Sequence, residues 1–352
     1  MFTNSLPIRS GIRSNAFPIR KEFRQFHPFL NCQSVIKITS MTTHLARYLT
    51  PMEDSSRWEG FEFRPGDIVI NSPAKCGTTW TQMICALLIF QTPRLPAPLS
   101  SLSPWIDMLV RPKQDVWDRL AAQRHRRFIK THIPLDGIPT DPRVTYITVG
   151  RDPRDVAISL RSHGKNLKRD VIRRLINQAA HPGPGGSEAP VDAYDERDQL
   201  DERAYTLRWV DNDDSPFANL DSLRALIWTQ SRAWVRREEA NVILLHYADL
   251  SADLAGQMRR LAERLGIDIP ESRWPELVEA ATFRQMRDRA TELAPDEQLG
   301  YIRDRERFFR SGKSGEWEQF LTAEDRAHYD RRMAELAEPG LLEWLHHRPD
   351  NR

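Results

Sequence analysis

The chain has 352 residues, of which 40% are hydrophobic and 28% are charged, and its formal net charge at pH 7 is +2. This length and apolar content suffice to bury the core of one large or two modest domains, which excludes a disordered or collagen-like protein. No apolar run approaches the roughly 20 residues of a transmembrane helix, and a net charge near zero argues against nucleic acid as a partner.

The first 40 residues differ in composition from the rest of the chain. They carry six basic residues and one acid, which leaves a net charge of −3 for residues 41–352. Because they show no sustained period and no long apolar run, we expect a basic, disordered N-terminal extension, followed by one domain at 41–352. The alternatives are a transit peptide and upstream sequence that is not translated in the natural protein. Three cysteines are too few for a disulfide framework, and this favours a reducing, cytoplasmic location.

Four segments have the pattern of buried strands, with short apolar or β-branched runs that end in loop-forming residues. They lie at residues 68–70, 127–130, 144–149 and 242–247. Apolar residues at helical spacing predict helices between and after them. These helices are expected at 79–91, 153–160, 228–237 and from about residue 251 onwards. The alternation predicts an α/β fold, a single domain with a P-loop-like central parallel sheet flanked by helices on both faces.

Residues 164–217 interrupt this alternation. They contain a stretch rich in Pro and Gly at 181–186, which is typical of a loop, between charged segments that lack a strand pattern. We therefore predict an insertion or lid over the site instead of a second domain.

The loop after the first predicted strand has the composition of an anion-binding site. It contains Lys75, Gly77, Thr78 and Thr79 directly before a predicted helix N-terminus, where backbone N–H groups and hydroxyls can surround a phosphate. A Walker-type loop would read GxxxxGK[ST], but here the lysine precedes the glycine. The loop predicts phosphate binding and makes a P-loop-type small-molecule kinase only an alternative, together with a catalytically silent nucleotide-binding protein.

Two further predicted strands end in residues that suit the chemistry of an anion. Arg151 follows the strand at 144–149, and Ser159 lies about two helical turns later, so that a guanidinium and a hydroxyl can bind one phosphate. The strand at 127–130 continues into Lys130-Thr131-His132, which brings a cation and a titratable base to the same sheet edge. Ligands of open α/β sheets bind at this edge.

A fourth motif lies near the C-terminus. Residues 308–317 contain Gly312, Gly315, Arg310 and Lys313, which form a flexible basic loop that could close over an anion. By composition alone this segment could equally be a surface turn.

The four motifs, in this order over residues 60–322, together resemble the soluble, cytosolic-type sulfotransferases that use 3′-phosphoadenylyl sulfate (PAPS). In that family they look like the 5′-phosphosulfate loop, the catalytic strand end, the 3′-phosphate motif and the C-terminal glycine loop. These correspond to residues 75–80, 130–132, 151–159 and 310–315. Residues 103–107 and 131–137 are most similar to bacterial members that act on glycolipids.

The resemblance implies a sulfotransferase with PAPS as co-substrate and no metal, in which His132 is the general base and Lys75 and Lys130 stabilise charge. It also implies a set of residues that contact the nucleotide. These are Lys75, Cys76, Gly77, Thr78, Thr79, Trp80, Arg151, Ser159, Phe283, Arg310, Ser311 and Gly312. The implied acceptor is a carbohydrate, a glycolipid, or a small alcohol or phenol, with no nucleic acid and at most peripheral membrane contact.

Three positions depart from the pattern of that family. Cys76 stands where the family usually has Ser, and a thiol is a weak hydrogen-bond donor. Ser311 and Glu318 stand where Lys is common, which removes positive charge near the expected 3′-phosphate. We expect either weaker nucleotide binding or a larger role for Lys313.

Overall fold

The centre of the fold is a sheet of four parallel strands. The computed structural model describes residues 45–180, 199–295 and 299–349, so the expected extension at 1–40 and the loop at 181–186 lie outside the described residues. The strands are β1 (Ile68–Asn71), β2 (Phe128–Thr131), β3 (Thr145–Gly150) and β4 (Val242–His246). Their order across the sheet is β2-β1-β3-β4, and all neighbouring pairs are parallel. The predicted parallel α/β architecture is confirmed, with each strand shifted by no more than one residue.

Helices follow or precede these strands throughout the described ranges. In chain order they are α1 (Thr78–Phe90), α2 (Leu99–Leu102), α3 (Lys113–Ala122), α4 (Pro153–Lys165), α5 (Arg169–Ala180), α6 (Glu202–Val210), α7 (Leu223–Trp234), α8 (Tyr247–Ala252), α9 (Leu254–Leu265), α10 (Trp274–Ala280), α11 (Phe283–Asp288), α12 (Ala290–Leu293), α13 (Ala323–Leu336) and α14 (Pro339–Leu345). Within these ranges no helix has both the length and the apolar character needed to cross a bilayer.

Both faces of the sheet are buried, as the near-continuous apolar strands predict. Successive side chains of a strand point to opposite faces. Ile68 and Ile70 of β1 therefore pack in one core cluster with Leu87 of α1, while Val69 packs in another cluster with Tyr146 of β3.

Two helix boundaries differ from the sequence prediction because side-chain caps determine where the helices begin. The Ser222 side chain accepts from the Ala225 N–H at 3.1 Å and starts α7 five residues before the predicted position. After β4, His246 caps α8 and the Asp253 side chain caps α9 through the Gly256 N–H at 2.8 Å. The helix predicted near residue 251 therefore begins at Leu254 as α9, and the short helix α8 before it was not predicted.

The helix α14 packs against the end of β3. A Cβ atom at Gly150 would lie 2.4 Å from the indole of Trp344, so only glycine leaves room for this ring. The same indole contacts Trp234 of α7, with ring centroids 5.5 Å apart. Consequently α14 is fixed directly behind the point where β3 leads into α4.

Candidate active site

The carboxyl ends of β1, β2 and β3 border a cavity of about 600 Å³. Parallel strands end at the same sheet edge, so the loops that follow them meet there. Except for Cys76, all residues implied to bind or react line this cavity. They are Lys75, Gly77, Thr78, Thr79, Trp80, Lys130, His132, Arg151, Ser159, Phe283, Arg310, Ser311 and Gly312.

The loop after β1 presents a strained lysine and an unpaired hydroxyl to the cavity. Lys75 has a φ angle of 67°, a left-handed conformation that costs a non-glycine residue roughly 1–2 kcal/mol. Thr78 begins α1, and its buried Oγ1 has no hydrogen-bond partner among the described residues. Together with the N–H groups of the helix N-terminus, these groups can bind an anion.

Cys76 is placed differently from its neighbours. Its side chain is fully buried in a core cluster with Val156 and Ala157, and its backbone N–H donates to the Pro73 carbonyl at 3.3 Å. Burial raises the pKa of the Cys76 thiol to about 12, so it stays protonated at neutral pH. The thiol is a packing group here and does not face the cavity.

The ammonium of Lys75 lies among other cations. Burial, followed by the charges of Arg151, Lys130 and Arg310, lowers its pKa to about 7. Its Nζ lies 4.3 Å from the centroid of the Phe308 ring. A cluster of positive charge in a buried site disfavours its own ionisation and gains stability from a bound anion.

Lys130 has a different electrostatic environment. Burial lowers its pKa to about 8, but the carboxylates of Asp107 and Glu53 oppose this shift. Its Nζ lies 3.6 Å from the centroid of the Trp105 ring, within the range of a cation–π interaction. Lys130 is therefore the more readily protonated of the two buried lysines.

His132 is neutral and has a defined tautomer. Its Nδ1 contacts the carbonyl of Ser72, and because a carbonyl only accepts, Nδ1 carries the proton and Nε2 is the basic nitrogen. Burial, followed by the charge of Lys130, holds the pKa of His132 well below its usual value. The ring also contacts the edge of Trp105, with centroids 4.7 Å apart. These contacts fix the imidazole in a cavity-lining position.

Asp107 organises the residues around His132, and the sequence patterns did not reveal this role. Its buried carboxylate accepts from Trp58 Nε1 at 2.9 Å, from Trp105 Nε1 at 2.5 Å and from the Thr131 hydroxyl. Burial raises its pKa, and these three hydrogen bonds oppose the shift. Asp107 thereby joins the end of β2 to the indole that contacts both Lys130 and His132.

Arg151 connects two of the predicted motifs. One guanidinium nitrogen donates to the Lys75 carbonyl at 3.0 Å, and another donates to the Lys313 carbonyl at 3.3 Å. The guanidinium also lies 4.2 Å from the ring centroid of Tyr247, while its buried Nε has no hydrogen-bond partner among the described residues. Arg151 thus holds the loop after β1 and the C-terminal loop around one wall of the cavity.

The C-terminal loop is held from α4 as well. Both carboxylate oxygens of Asp155 accept from the Gly315 N–H, at 2.9 and 3.0 Å. Arg310 forms an ion pair with Glu316 and lines the cavity. The exposed Lys313 contributes its carbonyl to Arg151, and its side chain is not part of the cavity lining.

Aromatic side chains form another wall. Trp80 donates from Nε1 to the Ala281 carbonyl at 2.8 Å and meets the edge of Tyr247, with ring centroids 5.3 Å apart. Phe283, the first residue of α11, meets Phe309 edge to face, with ring centroids 6.3 Å apart. Tyr247 was not predicted from the sequence, since it begins α8 after β4 and belongs to no motif.

Beyond His132 the cavity is lined by residues from three other regions. Trp105 and Met108 lie between α2 and α3. Thr50, Met52 and Glu53, which precede β1, line the same part and carry no recognisable sequence signal. Residues from 164–217 also contribute, namely Gly164, Leu167, Arg169, Ile172, Arg173, Ile176 and Tyr205. Within the described parts of the chain, no cluster of His, Cys, Asp or Glu could hold a metal ion.

Sequence comparison places this geometry in a known family. A family profile described as sulfotransferase domain matches residues 65–341. Glycolipid sulfotransferases of Mycobacterium bovis and Mycobacterium tuberculosis are 41% identical over 317 residues, which cover 85% of this chain and 93% of each relative. Sulfotransferase 1A1 of Mus musculus is 23% identical over 294 residues, covering 81% of this chain and 89% of the relative.

Solved structures share the fold. A retinol dehydratase in complex with androsterone and the inactive cofactor PAP has a TM-score of 0.60 at 21% identity, covering 85% of this chain and 87% of that one. Mouse sulfotransferase SULT7A1 complexed with PAP also has a TM-score of 0.60, at 18% identity, covering 82% of this chain and 90% of that one.

Proposed function

The chain belongs to the sulfotransferase family, and we propose that it transfers the sulfuryl group of PAPS to a hydroxyl of a glycolipid or another small acceptor. The observation that carries this proposal is the shared cavity of His132, whose Nε2 is the basic nitrogen, and the cations Lys75, Lys130 and Arg151. Sulfuryl transfer requires a base that accepts the proton of the acceptor hydroxyl and an anion-binding loop that holds the donor.

The side chains of the cavity fit an anionic nucleotide. Thr78 Oγ1 and Arg151 Nε are buried donors without partners in the described part of the chain, and the pKa of Lys75 is lowered by burial and then by the positive charges around it. PAPS would supply both the missing negative charge and a sulfuryl group activated by its phosphate anhydride. Lys75 and Thr78 would bind the 5′-phosphosulfate, with N–H groups of the loop, including that of Gly77.

The other nucleotide contacts follow from the remaining walls of the cavity. Arg151 and Ser159, with the loop that contains Arg310, Ser311 and Gly312, would hold the 3′-phosphate. Trp80 and Phe283 would enclose the adenine. Cys76 would contribute through the local backbone and not through its buried thiol.

The mechanism assigned to the chain's own residues is base catalysis with charge stabilisation. His132 takes the proton of the acceptor hydroxyl on Nε2, while the Ser72 carbonyl holds Nδ1 and fixes the ring. Lys75 and Lys130 stabilise the negative charge that develops on the transferred group and on the departing phosphate oxygen. Their burial strengthens both interactions, because charges interact more strongly where water is excluded.

A glycolipid suits the acceptor part of the cavity. Met52, Trp105, Met108 and Ile172 offer apolar surface for a lipid, close to the base that would receive the hydroxyl proton. The 41% identical mycobacterial relatives bear the name glycolipid sulfotransferase, which supports this class. We assign residues 164–217 to a lid over this part, residues 1–40 to an extension outside the 41–352 domain, and the enzyme to the cytoplasm.

A transfer assay with radiolabelled PAPS and a panel of glycolipids, alkyl glycosides, alcohols and phenols tests the proposal. We expect labelled sulfate esters with the wild type and a strongly reduced yield with His132→Ala. Transfer from ATP with magnesium, but not from PAPS, would identify a kinase instead. Binding of 3′-phosphoadenosine 5′-phosphate (PAP) without a single turnover of PAPS on any acceptor would identify a silent nucleotide-binding protein.

A further inference from the structure

Charge is distributed unevenly along the cavity. The groups that interact electrostatically with Lys75 are the cations Arg151, Lys130 and Arg310. The groups that interact with Glu53 are Lys130 and the carboxylates of Asp107 and Asp221. Lys130 belongs to both sets. The groups around Lys75 are therefore cationic, whereas Glu53, which lines the same cavity, has two carboxylates among its neighbours.

The backbone of Glu53 is held in place by pairing with a neighbouring segment. Glu53 forms an antiparallel bridge with Met108, and the Leu109 N–H donates to the Met52 carbonyl at 2.9 Å. Trp105, a few residues earlier in that segment, forms a parallel bridge with Lys130 of β2. These two bridges set the position of Glu53 relative to the strand end that carries His132.

The side chain of Glu53 is oriented as well. The Thr50 hydroxyl donates to Oε2 at 2.6 Å, and the same hydroxyl accepts from the Glu53 N–H at 2.9 Å. This pair of hydrogen bonds restrains the carboxylate, which lines the cavity, and no side chain or backbone group of the described residues donates to its Oε1. Burial raises the pKa of Glu53 to about 7, as expected for a carboxylate with too few donors around it.

We propose that Glu53 accepts a hydrogen bond from a second hydroxyl group of the acceptor, one that is not sulfated, and so selects a polyhydroxyl head group. The inference rests on the proposed function and identifies the part of the acceptor that the enzyme recognises. A hydroxyl next to the reacting one can donate to Oε1 while the reacting hydroxyl donates to His132 Nε2. A sugar has neighbouring hydroxyls of this kind, whereas a simple alcohol or phenol does not.

A comparison in which the enzyme and the substrate are altered separately and together isolates this contact. The probes are octyl β-D-glucopyranoside and its monodeoxy analogues, each lacking one hydroxyl, and the enzymes are the wild type, Glu53→Gln and Glu53→Ala. With the wild type, we expect that one analogue retaining the reacting hydroxyl has a kcat/KM about 10- to 100-fold below the parent, the range for a hydrogen bond to a charged group. The difference in kcat/KM between the parent and this analogue should be smaller in Glu53→Gln and absent in Glu53→Ala, and it should arise mainly from a difference in KM.

Controls separate this role from an indirect one. Glu59→Gln makes the same change at an exposed position nearby, and in this variant kcat/KM for the deoxy analogue should fall below that for the parent by as much as in the wild type. Calorimetric PAP binding shows that each variant is folded. If both Glu53 variants lose the same factor for the parent and all its analogues, Glu53 acts only through Lys130 and the proposal is wrong. If the wild type binds PAP but turns over neither octyl glucoside nor any other glycoside, the glycolipid acceptor fails, and this inference fails with it.

Discussion

A Cβ atom at Gly312 would lie 2.6 Å from the ring of Phe283, closer than two carbon atoms can approach without displacement. The backbone of the C-terminal loop therefore rests directly on the first residue of α11. Gly312 also has a φ angle of 67°, in the left-handed region that favours glycine. Both the close approach to Phe283 and the positive φ therefore require glycine at position 312.

Gly312→Ala should weaken PAP binding by about 10-fold or more. The added Cβ forces the loop away from Phe283, and this shift is large enough to break hydrogen bonds between the loop and the nucleotide. Isothermal calorimetry measures the dissociation constant. Gly300→Ala is the matched control, since Gly300 has a similar φ of 70° but no atom of the described residues lies within 4 Å of an added Cβ. Equal PAP affinity in both variants would mean that the contact with Phe283 does not shape the nucleotide site.

His132→Ala should lower kcat by about 10² to 10⁴-fold, the usual contribution of a general base, while PAP still binds. Steady-state transfer assays and calorimetry measure the two quantities on the same preparation. His328→Ala removes a partly exposed histidine that pairs with Asp211 and serves as the control. Turnover close to that of the wild type in His132→Ala would assign the base to another group.

PAP binding should weaken as the pH rises above about 7, the pKa of Lys75 in the free protein. A bound anion favours the charged ammonium, so the pKa of Lys75 is higher in the complex than in the free protein. Affinity is then greatest below the free-state pKa and is lost as the pH rises towards the bound-state pKa, by at most about tenfold per pH unit. Calorimetry in buffers of different ionisation enthalpy should show proton uptake above pH 7.

Lys75→Met provides the control for this pH dependence. It should bind PAP more weakly and with a flatter profile, since the contribution of Lys75 is gone while that of Lys130, with a pKa of about 8, remains. A profile as steep as that of the wild type would place the responsible group elsewhere.

Gly150→Ala should reduce the free energy of unfolding by about 1–3 kcal/mol, because the added methyl group overpacks the contact with Trp344. Denaturant titration measures the loss. The double variant Gly150→Ala/Trp344→Ala should be more stable than the sum of the two single changes predicts, because the clash is absent. Strict additivity would show that the indole is not the obstacle.

The strands were predictable because each is a short apolar or β-branched run that is buried on both faces. The loop residues Lys75, Thr78 and Arg151 were predictable because they directly follow two of these strands, and parallel strands deliver their ends to one edge. Local chemistry and sheet geometry thus suffice to bring together most of the candidate site.

Other features depend on distant segments that no local pattern connects. Glu53 and Asp107 reach the site through pairing between two irregular segments, and Tyr247 reaches it by packing on Arg151 and Trp80. The inward direction of the Cys76 side chain follows from the turn of its loop. The start of α7 did have a local signal, since Ser222 is a good N-cap residue that apolar spacing alone does not include.

The carboxylate of Glu53 has a consequence for the end of the catalytic cycle. The acceptor enters as a neutral hydroxyl, but it leaves as a sulfate ester, an anion in a cavity whose lining includes the carboxyl groups of Glu53 and Asp221. Like charges repel strongly where water is scarce. The chemical step itself therefore converts a well-matched ligand into a poorly matched one, which favours product release and limits inhibition by the sulfated product.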